Sequence, residues 1–190
     1  MKIIYLASFK AHHPGWNMVY QDINGLRDID GDMMEVDLDP YDVIVATPPC
    51  NYWSRANYRR ELSKYSQKTK HLLPSIINKL CNQNKPFIVE NVRNKKLMEK
   101  YNLFNFNCHI IEYGRHTYWT NILFNPTGIV QVADFIPTLK KIGDKQFLDE
   151  KTGKILRSNC TKRVNENSEG GDNVHHVLEY WLKVVKAYEC

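Results

Sequence analysis

The stretch Val43-Ile44-Val45-Ala46-Thr47-Pro48-Pro49-Cys50-Asn51-Tyr52-Trp53-Ser54 decides how this chain is read. A β-branched apolar run gives way to two prolines and a cysteine, and two aromatics and a serine follow. Proline fixes φ and donates no hydrogen bond, so a strand must stop at Pro48-Pro49 and release its chain into a stiff loop. Asp42–Thr47 is therefore predicted as a strand, with Cys50 just past its C-terminal end. Open α/β sheets place their chemistry at that edge, which suits a nucleophile. The competing reading is a small buried cysteine that closes a turn.

Working outward, Pro86–Val89 is predicted as a second buried strand, and Glu90-Asn91-Val92 follows it. If the two strands are neighbours, Cys50 and Glu90 project from one sheet edge as a nucleophile and a proton donor. The alternative for Glu90 is a strand-end carboxylate that caps the next helix. A third piece is Tyr113-Gly114-Arg115-His116-Thr117-Tyr118-Trp119-Thr120-Asn121. Arg115 beside a glycine suits clamping an oxyanion or a base edge. Its alternative is a solvated arginine on an amphipathic edge strand.

The rest of the chain supplies a frame. Lys2–Ala7 reads as a buried strand, Ser8–Gly25 as loop, and Asp28–Pro40 as an acidic, turn-rich segment. Arg55–Lys70 is basic and polar. His71–Asn82 carries Leu72, Leu73, Ile76, Ile77 and Leu80 at helical spacing, with Pro74 near the first turn. Lys95–Tyr101 is predicted as a small helix, and Cys108–Tyr113 and Tyr118–Phe124 as strands. Gly128–Arg163 is irregular and basic, with a hairpin expected at Asp149-Glu150-Lys151-Thr152-Gly153. Val174–Tyr188 gathers Val174, Val177, Leu178, Trp181, Leu182, Val185 and Tyr188 into one stripe, and Asp172 or Asn173 suits its cap. Strands alternating with helices imply a mostly parallel sheet.

Composition sets limits. The 190 residues are 43% hydrophobic and 25% charged, with a net charge of +5, which fits one soluble globular domain and permits nucleic-acid binding without requiring it. Five cysteines, at 50, 81, 108, 160 and 190, form no C-x-x-C pair. That argues against a metal cage or a disulfide framework and for a reduced, cytoplasmic setting. Met1–Leu6 is too soon polar for a signal peptide, and no apolar run approaches a membrane span.

These pieces resemble a known family. Pro49-Cys50-Asn51-Tyr52-Trp53-Ser54 resembles the Pro-Cys-Gln-x-Phe-Ser nucleophile loop of DNA (cytosine-5) methyltransferases. Glu90-Asn91-Val92 is identical to their Glu-Asn-Val motif. Arg115, Thr117 and Trp119-Thr120-Asn121 resemble their later arginine motif in its short, phage-type form. Gly31-Asp32-Met33-Met34-Glu35-Val36 is similar to the Gly-Asp turn before the catalytic strand, and Gly171-Asp172-Asn173-Val174 to the closing Gly-Asn-x-Val motif. The five stand in the family's order across about residues 28 to 188.

The resemblance implies an α/β, Rossmann-like, mostly parallel sheet of the methyltransferase type. It implies transfer of a methyl group from S-adenosylmethionine to carbon 5 of a flipped cytosine. Cys50 would add to carbon 6, Glu90 would serve ring nitrogen 3, Asn91 would hold the loop, and Arg115 would bind the exocyclic oxygen. Asp32, Pro49, Asp172, Asn173 and Val174 would line the cofactor pocket. Asn51, Ser54, Arg55, Arg59, Arg60 and Arg93 would face DNA, with Lys95 and Lys96 nearby. No metal is implied.

The domain organisation expected is a catalytic α/β core over 1–121, a small basic insert like a target-recognition region over 122–169, and a C-terminal helix over 170–190 packing back on the core. The N-terminal, cofactor-binding half departs from the family. Its Phe-x-Gly-x-Gly loop is replaced by Ser8-Phe9-Lys10-Ala11-His12-His13-Pro14-Gly15. Cys50 also arrives too soon for both the usual first helix and the second strand with its ribose-binding carboxylate. The expectation is an open groove, a pocket completed by a second subunit, or a site filled by His12, His13 or Trp16. Two further readings stay open beside the methyltransferase: a cytosine-5-modifying enzyme of DNA or nucleotides with another donor, and an inactive descendant that binds DNA or a host protein.

Overall fold

The computed structural model describes residues 1–9 and 11–128, the strand segments 139–143, 146–149 and 154–157, and the helix 174–188. Two compact units divide the chain: Met1–Asn125 with Leu178–Cys190, and Pro126–Val177.

The first unit is built on seven strands: β1 (Ile3–Leu6), β2 (Met18–Asp22), β3 (Ile29–Asp30), β4 (Val43–Ala46), β5 (Phe87–Val92), β6 (His109–Tyr113) and β7 (His116–Thr120). Their order is β3-β2-β1-β4-β5-β7-β6. The five from β3 to β5 are mutually parallel, and β7 runs antiparallel to both β5 and β6. The fold is the α/β, Rossmann-like, mostly parallel sheet expected. Every residue of β1, β4 and β7 is buried, as befits strands covered on both faces.

One face carries Ile4, Leu6, Ile44, Ala46, Phe87, Val89 and Trp119 into the main core. There α2 (Leu72–Cys81) supplies Leu73, Ile76, Ile77 and Leu80, all fully buried. The crossover from β4 to β5 contains α1 (Lys64–Thr69) as well as α2, and α3 (Lys95–Lys100) follows β5. Ser63 caps α1 by accepting the Ser66 N–H. The second face carries Ile3, Tyr5, Val43, Val45, Ile88 and Tyr118, also buried. Helix α4 (174–188) meets this face through Trp181, whose Nε1 donates to Thr120 Oγ1 at 3.1 Å.

The structure corrects the sequence reading in the N-terminal half. Ser8–Gly25 is not all loop, because Met18–Asp22 forms β2 beside β1 with Ile3 opposite Met18. The second strand is therefore present, and only the helix before it is missing among the described residues. A parallel pair normally needs a helical crossover. Here side chains replace it. Gln21, 1% exposed, accepts the Ala7 N–H through Oε1 at 2.9 Å and donates through Nε2 to the Gly31 carbonyl at 2.6 Å. Arg27 donates to the carbonyls of Phe9 and Ala11. Glu179 of α4 lies 3.1 Å from His13 Nδ1 and accepts Trp16 Nε1 at 3.2 Å. His13 and Trp16 thus fill part of the space beside β1, whereas His12 is exposed.

Elsewhere the differences are small. Strand β5 continues to Val92, so Glu90 and Asn91 lie inside it rather than after it. Strand β7 starts at His116 and stops at Thr120. The second unit holds an antiparallel sheet of β8 (Leu139–Gly143), β9 (Gln146–Asp149) and β10 (Lys154–Arg157). Asp149 pairs with Lys154 across the expected hairpin. No helix among the described residues is long and apolar enough to cross a membrane.

Replacing Gln21 by leucine keeps the volume and removes both ties, leaving the Ala7 N–H and the Gly31 carbonyl unpartnered. Gln21→Leu should lower the unfolding free energy in urea by about 1–3 kcal/mol. A change within experimental error would show that these bonds do not hold the helix-free crossover.

Candidate active site

The parallel strands all deliver their C-terminal ends to one edge. Along it stand Asp32 after β3, Asp22 at the end of β2, the turn at Ala7 after β1, and the Cys50 loop after β4. Glu90 and Asn91 follow at the end of β5, and Arg115 sits in the β6–β7 turn. The pairing of Val92 with His116 puts that turn at the C-terminal end of β5. Cys50, Glu90, Asn91 and Arg115 therefore share one rim. The strand order, not the strand direction, reverses between β1 and β4, since β2 and β3 lie to one side and β5 to the other; this is the switch point where α/β sheets open a crevice.

The Cys50 loop is fastened on both sides of the cysteine. Asn91, 1% exposed, donates Nδ2 to the Pro48 carbonyl at 2.9 Å and accepts the Val92 N–H at 3.0 Å. Asn94 Nδ2 donates to the Trp53 carbonyl at 2.9 Å. Tyr52 and Trp53 are fully buried and stack edge to face on each other and on Tyr101. The Tyr52 hydroxyl donates to Glu61. Between these anchors Ser54 N–H closes a turn onto the Cys50 carbonyl at 2.8 Å, and Cys50 is exposed. Cys50 is thus no buried turn-closing cysteine. Cys81 and Cys108 are neighbours, and burial raises both thiols, that of Cys108 to about 12.

Glu90 does not cap a helix. It lies in β5, 8% exposed, beside Tyr118 in the antiparallel pairing. Burial alone raises its carboxyl from 4.5 to about 8. His116 Nε2 stands 3.6 Å from Glu90 Oε1. That distance suggests an ion pair, but burial, and then the charge of Arg115, lowers His116 to about 4. Both groups are neutral at pH 7, so the contact is between a carboxylic acid and an imidazole. The hydroxyl of Tyr118 is buried and has no partner among the described residues.

Arg115 is exposed in a turn rather than on an edge strand, and its carbonyl accepts the Arg93 N–H at 2.6 Å. Arg93 is exposed and lies 3.9 Å from Glu112. Pro49 is half-buried in the loop, and Asn51 is exposed with its carbonyl accepting from Asn57. Ser54 is half-buried and its carbonyl accepts Arg60 at 2.8 Å. Arg55 and Arg59 are exposed, Arg59 lying over the Tyr58 ring. Asp32 is exposed, and its side chain accepts the Met34 N–H. Val174 opens the helix, whereas Asp172 and Asn173 lie outside the described residues.

Sequence reasoning missed Asp22. Its signal was Met18-Val19-Tyr20-Gln21-Asp22, an apolar-rich run ending in an acid, which has the same form as the other strand ends. Asp22 Oδ2 accepts the Phe9 N–H at 2.7 Å and Oδ1 accepts the Ile23 N–H at 2.8 Å. Asn94 and His116 were also missed as partners of the loop and of Glu90.

The acid at position 90 has a thermodynamic signature. Between about pH 4.5 and 8 the native state holds a proton on Glu90 that the unfolded state has released, so stability falls with rising pH. His116 acts oppositely between about 4 and 6.5, where the unfolded state holds the extra proton. Glu90→Gln removes the first effect and keeps the second. Its stability advantage over the natural protein should grow by up to about 1.4 kcal/mol per pH unit from pH 5 to 8. Parallel urea curves at these pH values test this, and a pH-independent difference would contradict a neutral Glu90.

Residues 5–131 match the family model for C-5 cytosine-specific DNA methylase. The match spans β1 to β7 and takes in Cys50, Glu90 and Arg115. Comparison with curated proteins finds no match.

Proposed function

The chain belongs to the C-5 cytosine-specific DNA methylase family, and from that premise we propose that it is a DNA cytosine-5 methyltransferase whose nucleophile is Cys50. The observation that carries this reading is the rim. An exposed cysteine on a loop fastened by Asn91 and Asn94 shares one sheet edge with a buried, neutral Glu90 and with Arg115.

Carbon 5 of cytosine is a poor nucleophile until carbon 6 is attacked. The Cys50 thiolate forms a bond to carbon 6 and pushes the ring electrons toward nitrogen 3 and carbon 5. Glu90, protonated at pH 7, gives its proton to nitrogen 3, so the adduct is a neutral enamine. Arg115 holds the exocyclic oxygen, where charge develops during addition. Carbon 5 can then take an electrophile. Loss of the carbon 5 proton and expulsion of Cys50 restore the aromatic ring, and the nitrogen 3 proton returns to Glu90. The cytosine must leave the duplex to reach this rim, at a cost of roughly a few kcal/mol.

C-5 DNA methylases use S-adenosylmethionine, which supplies an electrophilic methyl group when bound. The acceptor set here suits its adenosine half. A carboxylate offers about four acceptor positions, and Asp22 spends two on the N–H groups of Phe9 and Ile23. The remainder suit ribose hydroxyls, and the exposed Asp32 suits the adenine amine. Pro49 is proposed to line the same pocket. Asn51, Ser54, Arg55, Arg59, Arg60 and Arg93 are proposed to face the DNA, which this reading makes the partner.

DNA carrying 5-fluorocytosine should trap the protein, with S-adenosylmethionine present, as an adduct that survives denaturation, because fluorine does not leave as a proton. Cys50→Ser should abolish the adduct, whereas Cys81→Ser and Cys108→Ser should keep it. Glu90→Gln should slow its formation by on the order of a hundredfold. A natural protein that binds DNA and S-adenosylmethionine yet forms no adduct would refute the nucleophile.

A further inference from the structure

His13 and Trp16 stand in the helix-free crossover between β1 and β2, and the reaction at the rim uses neither. The ring of His13 lies 5.6 Å from that of Tyr5 in β1, and its N–H donates to the Tyr20 hydroxyl at 2.7 Å. Its Nδ1 stands 3.1 Å from Glu179 Oε1. The other oxygen of Glu179 accepts Trp16 Nε1 at 3.2 Å, which fixes how the carboxylate is turned. Helix α4 runs unbroken from 174 to 188, so His175 stands one turn before Glu179 on the same face. Three donor atoms, one each from His13, His175 and Glu179, lie within 4.8 Å of one another. A hydrogen bond between His13 and Glu179 requires one histidine, yet here a second imidazole meets the same carboxylate.

We propose that His13, His175 and Glu179 form a zinc site, which fastens the β1–β2 crossover to α4. Two imidazoles and a carboxylate suit a divalent transition metal such as zinc, whereas calcium and magnesium take oxygen ligands. Ligand atoms around a tetrahedral zinc stand about 3.3 Å apart. His13 Nδ1 and Glu179 Oε1 are already close to that spacing, and side-chain rotations of at most about 1.5 Å bring in the third donor. The side chain of Glu179 keeps 22% of its surface exposed and His175 is half-buried, so a cation reaches the donors from the solvent side of α4 rather than through the core. Zinc takes the place of the proton between His13 Nδ1 and Glu179 Oε1. That proton goes to solvent, and water fills the fourth position. Trp16 stays on the second oxygen of Glu179 and orients the ligand from outside. The site uses no cysteine, so the lack of a C-x-x-C pair does not bear on it. Nor does it depend on the reaction assigned to Cys50.

The test strips the full chain of metal with a chelator, removes the chelator, and titrates zinc by calorimetry and cobalt by absorption. A single zinc should bind. Cobalt should give the visible bands of a nitrogen–oxygen site without the near-ultraviolet charge-transfer band that a thiolate ligand produces. Zinc should also raise the urea midpoint, since a ligand that binds only the folded chain stabilises it. His175→Ala and Glu179→Gln should each weaken zinc binding by on the order of a hundredfold or more, because loss of even an outer partner commonly costs roughly ten- to a hundredfold. Glu179→Gln keeps an oxygen for Trp16 and an amide toward His13, so the crossover stays tied while the anionic ligand is gone. His176→Gln, exposed on the same helix, should bind zinc as the natural chain does, and so should Cys81→Ser and Cys108→Ser. Three results would each overturn the proposal: no binding by the natural chain in the micromolar range, a thiolate band in the cobalt spectrum, or unchanged affinity in both His175→Ala and Glu179→Gln. The cobalt spectrum needs no variant, so it decides the matter even where a substitution unfolds the chain.

Discussion

The rest of the molecule depends on a sheet whose central strands have no solvated face. Every residue of β1 and β4 is buried, so both faces must be covered or the backbone between them cannot stay dry. Helix α2 covers one face with four fully buried aliphatic side chains. The other face lacks a helix between β1 and β2 among the described residues. Residues Leu178, Trp181, Leu182 and Val185 of α4, each no more than 1% exposed, form the apolar stripe on that side. Burying four such side chains contributes roughly 1.5–3 kcal/mol each before entropy is counted. This is a large contribution against the usual net stability of a domain, which is on the order of 10 kcal/mol. The Trp181–Thr120 bond fixes where that stripe meets the sheet.

Burial of the sheet is also what gives Glu90 its chemistry. A carboxyl at the surface would be ionised at neutral pH and could not donate a proton. Set into β5 between covered strands, it keeps its proton to about pH 8. His116 does not reverse this, because the same burial holds the imidazole neutral. A charged His116 would stabilise the carboxylate and remove the acid. The proton on Glu90 is therefore a property of the sheet's cover, not of one partner. Asn91, the next residue, points to the other side and holds Pro48. Alternation along one strand thus delivers the acid to one face and the loop fastener to the other.

The rim was legible because its residues break strong local patterns. A β-branched run stopped by two prolines, and a second apolar run followed by an acid and an amide, each mark a strand end. The α2 and α4 helices were legible by period. Strand β2 was not, since its burial pattern is only partial, with Gln21 alone fully inside. A polar residue at the one buried position disguises the strand, because its value lies in tying Ala7 to Gly31 rather than in apolar area. Strand β5 was read short because Glu90 and Asn91 resemble loop residues. Nothing in the sequence tells that they are buried, which only the pairing with β7 reveals. Arg55 and Arg60 were legible as DNA-facing cations, whereas the burial of Arg60 Nε without an acceptor among the described residues depends on the fold of the Ser54 turn.

The two sides of the edge are held by different means. On the Cys50 side, the cysteine sits between amide ties from the buried Asn91 and the half-buried Asn94 and beside a stacked aromatic cluster, so its loop has little freedom to lose. On the Asp22 side, the turn at Ala7 and Phe9 takes φ values of 52° and 44° with no glycine to relieve them. Non-glycine residues in the left-handed region cost roughly 1–2 kcal/mol each. The bonds from Gln21, Asp22 and Arg27 offset that strain. Each is worth about 0.5–1.5 kcal/mol net, and those to charged groups somewhat more, so the turn is close to balance. A loop so poised differs from a glycine cradle in its coupling. The Phe9 N–H that holds the turn and any ligand at the remaining acceptor positions of Asp22 share one carboxylate, so binding there and the shape of the β1–β2 crossover are one equilibrium.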